Sequence, residues 1–267
     1  MKKILLLTLF FYTFSKIFAH EMLLFEPLTA NHLESRIGTF YQPTADHLRL
    51  DIGHSLDLIE IPNNKNANFE LRAGADFFIL SRLRSEGRLK FPVEASDFFF
   101  GLNLTGNIST NYFFRMRIAH ISSHLVDGYT IDNNFIKEPF VYSREFVDLI
   151  LTYNTEYVRT YIGGTAIFST IPKDINVFVP QIGFDSDYEL YNDFNFIGGY
   201  DFKLVGLENE NTIKYFGSNS AQIGIKYKLS ENRGLSFNFY YYSGLSIHGM
   251  FYNKKEKYKG FGIQFHY

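Results

Sequence analysis

Residues 258–267 read YKGFGIQFHY. Phe261, Ile263, Phe265 and Tyr267 fall on one phase of a two-residue period, and Gly260, Gly262, Gln264 and His266 fall on the other. Successive side chains of a β-strand point to opposite faces. The segment is therefore a strand with one broad apolar face, one small or polar face and an aromatic carboxyl end. Such a strand suits a wall with lipid on one side and a lumen on the other.

The same alternation recurs upstream. In 48–58 the residues Leu48, Leu50, Ile52, Leu56 and Leu58 oppose Arg49, Asp51, Gly53, Ser55 and Asp57. Phe69, Leu71, Ala73, Ala75 and Phe77 oppose Glu70, Arg72, Gly74 and Asp76. Further segments lie at 98–104, 114–118, 147–153, 158–168, 177–184, 194–204, 221–229 and 235–241, with one more over 36–41. This predicts an all-β, antiparallel, up-and-down transmembrane barrel of about twelve strands, within a range of roughly ten to fourteen. A soluble sandwich would have to cover these aromatic faces with a second sheet. Short turns are expected at 105–111, 154–157 and 229–234, and longer loops at 81–94, 125–143, 205–218 and 243–257. That asymmetry predicts both termini in the periplasm. Pro180 is expected to mark a bulge or distortion.

The 267-residue chain contains no cysteine, which excludes thiol catalysis and thiolate metal sites. Its net charge of -2 offers no basic field for nucleic acid. Lys2, Lys3, the apolar run 4–12 and Ala19 predict a signal peptide over residues 1–19. An uncleaved anchor would need about twenty apolar residues, and Ser15 and Lys16 interrupt this run. The remainder, 20–267, reads as one barrel domain whose first residues, 20–34, are apolar enough to pack into or under it.

The predicted lumen face mixes both signs: Arg72, Asp76, Asp97, Arg115, Arg117 and Arg159 stand with Arg49, Asp51, Asp57, Glu70, Asp148, Asp201, Lys203, Lys226 and Lys228. A wide pore needs about sixteen strands, so a narrower lumen filled by ion pairs and tyrosines is expected. A scaffold, a surface recognition protein or a narrow conduit all fit this.

Residues 114–129 read FRMRIAHISSHLVDGY. The phase of Phe114, Met116 and Ile118 continues through His120, Ser122 and His124, which places polar groups on the lipid face, where they are costly. Three explanations stay open. The row meets headgroups at the membrane interface, or a bulge near Ala119 turns it into the lumen. Alternatively, His120 and Ser122 form a base–nucleophile pair for ester hydrolysis, with Asn133, Asn134 or Asp127 orienting the imidazole. The His-x-Ser arrangement resembles that of outer-membrane phospholipases and lipid A deacylases, which implies a lipid esterase. No carboxylate cluster accompanies His120 and His124, so no metal is expected, nor any cofactor.

The segment His120-Ile-Ser-Ser-His-Leu-Val-Asp127, with Ser123, His124 and Asp127 at its centre and end, resembles the HxSSHLGD signature of the outer-membrane barrels of domain of unknown function 1207. Phe25-Glu-Pro-Leu-Thr-Ala30 is similar to that family's FxPLxA motif, and 97–101, 161–164, 180–183 and 242–246 resemble later landmarks. Val126 stands where the signature has Gly, and Asn31-His32 where the first motif is followed by Asp-Pro. The resemblance implies an outer-membrane barrel and supplies no activity. The expected partners are outer-membrane lipids and the barrel-assembly machinery, the latter through the strand ending at Tyr267, with the ligand unknown.

Overall fold

The computed structural model describes residues 22–62, 69–131, 134–135, 138–209, 212–230 and 233–267; the predicted signal peptide lies outside them. The alternating segments become β1 (Ile37–Gln42), β2 (His47–Glu60), β3 (Leu71–Arg84), β4 (Val93–Asn107) and β5 (Tyr112–Leu125). A small ribbon, β6 (Thr130–Ile131) and β7 (Asn134–Phe135), stands in the next loop. The wall resumes with β8 (Tyr142–Asn154), β9 (Arg159–Ile171), β10 (Phe178–Tyr191) and β11 (Phe194–Asn209). It ends with β12 (Thr212–Ser230), β13 (Arg233–Leu245) and β14 (Lys255–His266). Leaving out the ribbon, each strand pairs antiparallel with its neighbours and β1 pairs with β14, closing a twelve-stranded barrel. Among the described residues no helix is long and apolar enough to cross a membrane.

One local expectation fails. The loop foreseen over 205–218 is strand almost throughout, because β11 and β12 stay paired from Phe194↔Tyr227 to Asn209↔Thr212. Leu207, Ile213 and Tyr215 carry enough apolar and β-branched character to continue the ladder. Pro180 keeps unbroken register opposite Gly164 of β9, but on its other side the pairing with β11 is distorted, resuming only at the isolated Ile175–Leu207 bridge. The β10–β11 register begins only at Gln181↔Lys203, so the residue without an N–H lies just past the end of that ladder.

The segment 22–36 enters the lumen, as its apolar content foretold. Phe25, Leu28, Ala30, Asn31, Glu34, Ser35 and Arg36 are buried there. Having no ladder of its own, the segment has backbone groups that need other partners. Leu24 N donates to Asp57 (2.8 Å) and Thr29 N to Asp185 (2.9 Å). Its carbonyls accept from the wall: Met22 from Arg72 (2.7 Å), Glu26 and Pro27 from Arg159 (2.9 and 3.0 Å), and Leu33 from Arg117 (3.0 Å). Phe25 lies under the guanidiniums of Arg115 and Arg159, at 4.7 and 5.5 Å.

Glu34 anchors the far end of this segment. Arg115 grips its two oxygens at 2.7 and 2.6 Å, and Asn31 donates to one of them at 2.7 Å. Burial opposes ionisation of Glu34, but Arg115 and Arg117 outweigh it and hold the carboxyl at about 2.

The lumen is charge-paired only in part, which corrects the expectation of an interior filled by ion pairs. Beyond the Arg115–Arg117 layer, the inward side chains Phe78, Leu80, Phe99, Ile121, Phe146, Ile167 and Val179 form an apolar core. Phe78 and Phe99 stack with ring centroids 4.2 Å apart. The runs Phe77–Leu80 and Phe98–Phe100 are apolar on both phases because they meet lipid outside and this core inside.

Removing one partner of a buried ion pair strands the other, at about 3–5 kcal/mol. Glu34→Ala is expected to destabilise the barrel by about that amount, read as a lowered urea midpoint of the heat-modifiable form. Because the folded carboxyl sits below its unfolded value, the wild-type contribution is complete above about pH 4.5 and fades as pH falls toward 2.

Candidate functional site

The β4–β5 register runs unbroken from Ala95↔Leu125 to Asn107↔Phe113, so no bulge turns β5 over. Arg115, Arg117, Ala119, Ile121 and Ser123 are buried in the lumen, while Met116 and Ile118 are exposed on the wall. His120, Ser122 and His124 keep the outward phase of Met116 and Ile118. The motif thus divides between two faces, with Ser123 inside.

On the outside, His120 is in register with Glu145 of β8, and Ser122 with Ser143. The Nδ1 atom of His120 lies 2.8 Å from Glu145 Oε1, and Ser143 Oγ donates to the same oxygen at 2.9 Å. The His120 and Glu145 side chains are 42% and 31% exposed, so both reach the surface of the wall. Ser122 has no hydrogen-bond partner among the described residues. The β8–β9 register shifts between Glu145 and Phe146, beside this group, with Ser169 opposite Glu145. His124 continues the row, its ring edge-on to Phe98 at 5.8 Å.

Glu145 takes the place expected for Asn134 or Asp127. Asp127 sits in a 3-10 turn (Asp127–Tyr129), where its carbonyl accepts from Thr130. The Asn133 residue and the Asn134 side chain lie outside the described residues. The sequence held a usable signal for Glu145: the β8 alternation was begun at Val147, and Glu145 is the next residue back on that outward phase.

Inside, Ser123 belongs to a different device. The loop between β13 and β14 folds into the barrel mouth through a second 3-10 turn, Gly249–Phe251, all buried. Asp97 receives it, with His248 Nδ1 at 2.7 Å from one oxygen and the Gly249 N–H donating to the other at 2.8 Å. Ser123 Oγ accepts from Met250 N at 3.0 Å. Gly249 approaches so closely that a Cβ there would run into the Tyr142 ring and lie 2.8 Å from Ser123 Cβ. Tyr252 donates to Asp174 at 2.8 Å, and burial together with that carboxylate pushes its hydroxyl up. Asp97 therefore latches a loop and, among the described residues, is not paired with an arginine.

The other foreseen lumen charges point inward. Arg72 bonds Glu70 and Asp57, Asp76 accepts from Ser55 at 2.5 Å, and Arg117 grips Asp148 at 2.9 and 2.6 Å. Arg159 bonds Asp185 at 3.0 and 2.7 Å. No group of three or more His, Asp or Glu side chains among the described residues could hold a metal ion.

A closed antiparallel barrel with an apolar outer wall and a polar-lined, filled lumen defines a transmembrane barrel of the outer-membrane type. The chain belongs to the family described as protein of unknown function (DUF1207), which matches residues 74–267. Comparison with curated proteins gives no match. Among solved structures it is similar to outer membrane phospholipase A from Escherichia coli, at 14% identity and a TM-score of 0.50, covering 91% of this chain and 94% of that one. The Salmonella typhi outer membrane phospholipase dimer with bound calcium is similar at 12% identity and a TM-score of 0.50, with the same coverage. At such identities the likeness is one of fold.

The latch yields a direct expectation. Gly249→Val removes the room that the turn needs, and Asp97→Ala removes its two acceptors. Both variants should fold and expose residues 246–254 to limited proteolysis, whereas the wild-type loop resists cleavage.

Proposed function

We propose that the protein is a sealed outer-membrane barrel, a scaffold or surface recognition protein acting through its faces and not a conduit acting through its lumen. One observation carries this: both mouths are filled by the chain's own residues. The segment 22–36 occupies one end and the 246–252 turn the other. A vestibule of about 420 Å³ beside Met22–Thr29 shares no lining residue with the roughly 70 Å³ cavity beneath the loop end. Between them lie Asn31, Glu34, Arg117 and Asp201, each buried to within 2% of full enclosure.

In this proposal residues 1–19 direct export, and the cell is Gram-negative. The tight turns, both termini and the vestibule face the periplasm. Connections of two to four residues at 108–111, 155–158 and 192–193 beside a loop of 126–141 support that orientation. Outer-membrane lipids surround the wall, and the barrel-assembly machinery engages β14 through its aromatic outer phase and Tyr267.

Folded protein reconstituted in planar bilayers is expected to give no conductance steps. Stepwise, ion-dependent conductance of the wild type would return the narrow conduit to favour and remove the sealed barrel.

A further inference from the structure

Going beyond a sealed scaffold, we propose that the outer wall carries a serine hydrolase site for acyl esters of membrane lipids. Ser122 is the nucleophile, His120 the base and Glu145 the positioning residue.

Such chemistry needs a hydroxyl, a base beside it and a third group that fixes the base's tautomer. The 2.8 Å contact from His120 Nδ1 to Glu145 supplies the third. A proton on Nδ1, donated to that carboxylate, leaves Nε2 as the basic nitrogen. Ser122 is the next residue on the same strand face, its Cα about 6.5–7 Å from that of His120. The two side chains are not hydrogen-bonded to each other here, and catalytic contacts of this kind often form only once substrate is bound. The Ser122 hydroxyl is uncommitted among the described residues. Its register partner Ser143 instead spends its proton on Glu145.

A row that served only to meet headgroups would need no carboxylate. Here a carboxylate is placed beside the imidazole and held by a second donor. The register shift at Glu145 and Phe146 fits this, since bulges gather where a strand re-aims a side chain at a site.

Position sets the substrate class. One strand step toward the turn end lie Ile118 and its register partner Leu102, 52% and 65% exposed on the apolar wall, while Phe100 lies level with His120. The site therefore sits at the margin of the apolar belt, where lipid ester carbonyls and water meet. Ser122 Oγ attacks the ester carbon as its proton passes to His120 Nε2. The tetrahedral adduct collapses, breaking the bond to the alcohol oxygen, which leaves with the proton from Nε2. Water then attacks the acyl-serine, again giving its proton to Nε2, and the fatty acid departs as Ser122 is restored. His124, beyond Ser122 in the row, is placed to donate to the developing oxyanion.

The test uses the full barrel folded in detergent micelles, with heat-modifiable mobility as the folding control. The probes are a long-chain alkyl fluorophosphonate, micelles containing phosphatidylethanolamine, and micelles containing lipopolysaccharide. The wild type is expected to be modified on Ser122 and to release fatty acid from at least one lipid, which identifies the substrate. Ser122→Ala should lose both signals. Glu145→Gln should keep KM and lose about 100- to 10,000-fold in kcat, with Glu145→Asp recovering part. The proposal is overturned if folded wild type is unlabelled, if it releases no fatty acid from either lipid, or if Ser122→Ala hydrolyses like wild type. Unchanged kcat in Glu145→Gln overturns the role of the carboxylate and with it the triad. None of these outcomes depends on whether the lumen conducts.

Discussion

A membrane interior offers no partner to a backbone N–H or C=O, so a sheet that crosses it must close on itself. Closure here depends on β1, only six residues long, which joins β14 on one side to β2 on the other. Beyond the start of β1 that seam would stand open. Tyr267 covers it: its ring stacks on His54 at 3.6 Å and its hydroxyl donates to the Gly53 carbonyl at 2.8 Å. Tyr267 is thus a structural bridge across the shortest strand of the barrel wall.

The same rule explains the charges inside. An irregular segment, 22–36, runs through the lumen with its own backbone groups unpaired by any ladder. Wall arginines answer its carbonyls, and wall aspartates answer its N–H groups. Many lumen charges therefore serve the backbone of this segment as much as each other. Beyond Glu34 the chain has turned back into β1, and the lumen no longer needs such partners. There the inward faces become phenylalanine, leucine and isoleucine, and apolar packing takes over from ion pairing. The latch at Asp97 and Ser123 repeats the first solution at the other mouth, with side-chain oxygens accepting from the N–H groups of an inserted turn.

The outward row of β5 stands against this logic, since no inserted segment needs it. His120 and Glu145 satisfy one another across the β5–β8 ladder and leave Ser122 free. An arrangement that holds an imidazole by one nitrogen fixes its tautomer, which a solvated interfacial histidine does not require.

The sequence by itself determined a closed barrel of about twelve strands and the phase of its alternating segments, because a two-residue period in a chain without an apolar helix allows little else; closure fixed the count at twelve. Alternation alone left the facing of His120, Ser122 and His124 open to a bulge near Ala119, and the unbroken β4–β5 and β5–β8 registers are what place them outward. The sequence overstated the loop at 205–218, where strand character simply continues. Only the tertiary structure decided which residues meet across neighbouring strands: Glu145 against His120, Asp97 against His248, Glu34 against Arg115. Those pairs lie 25, 151 and 81 residues apart in the chain. Alternation fixes the face a side chain occupies, whereas its neighbour across the ladder depends on register, and register is set only when the barrel closes.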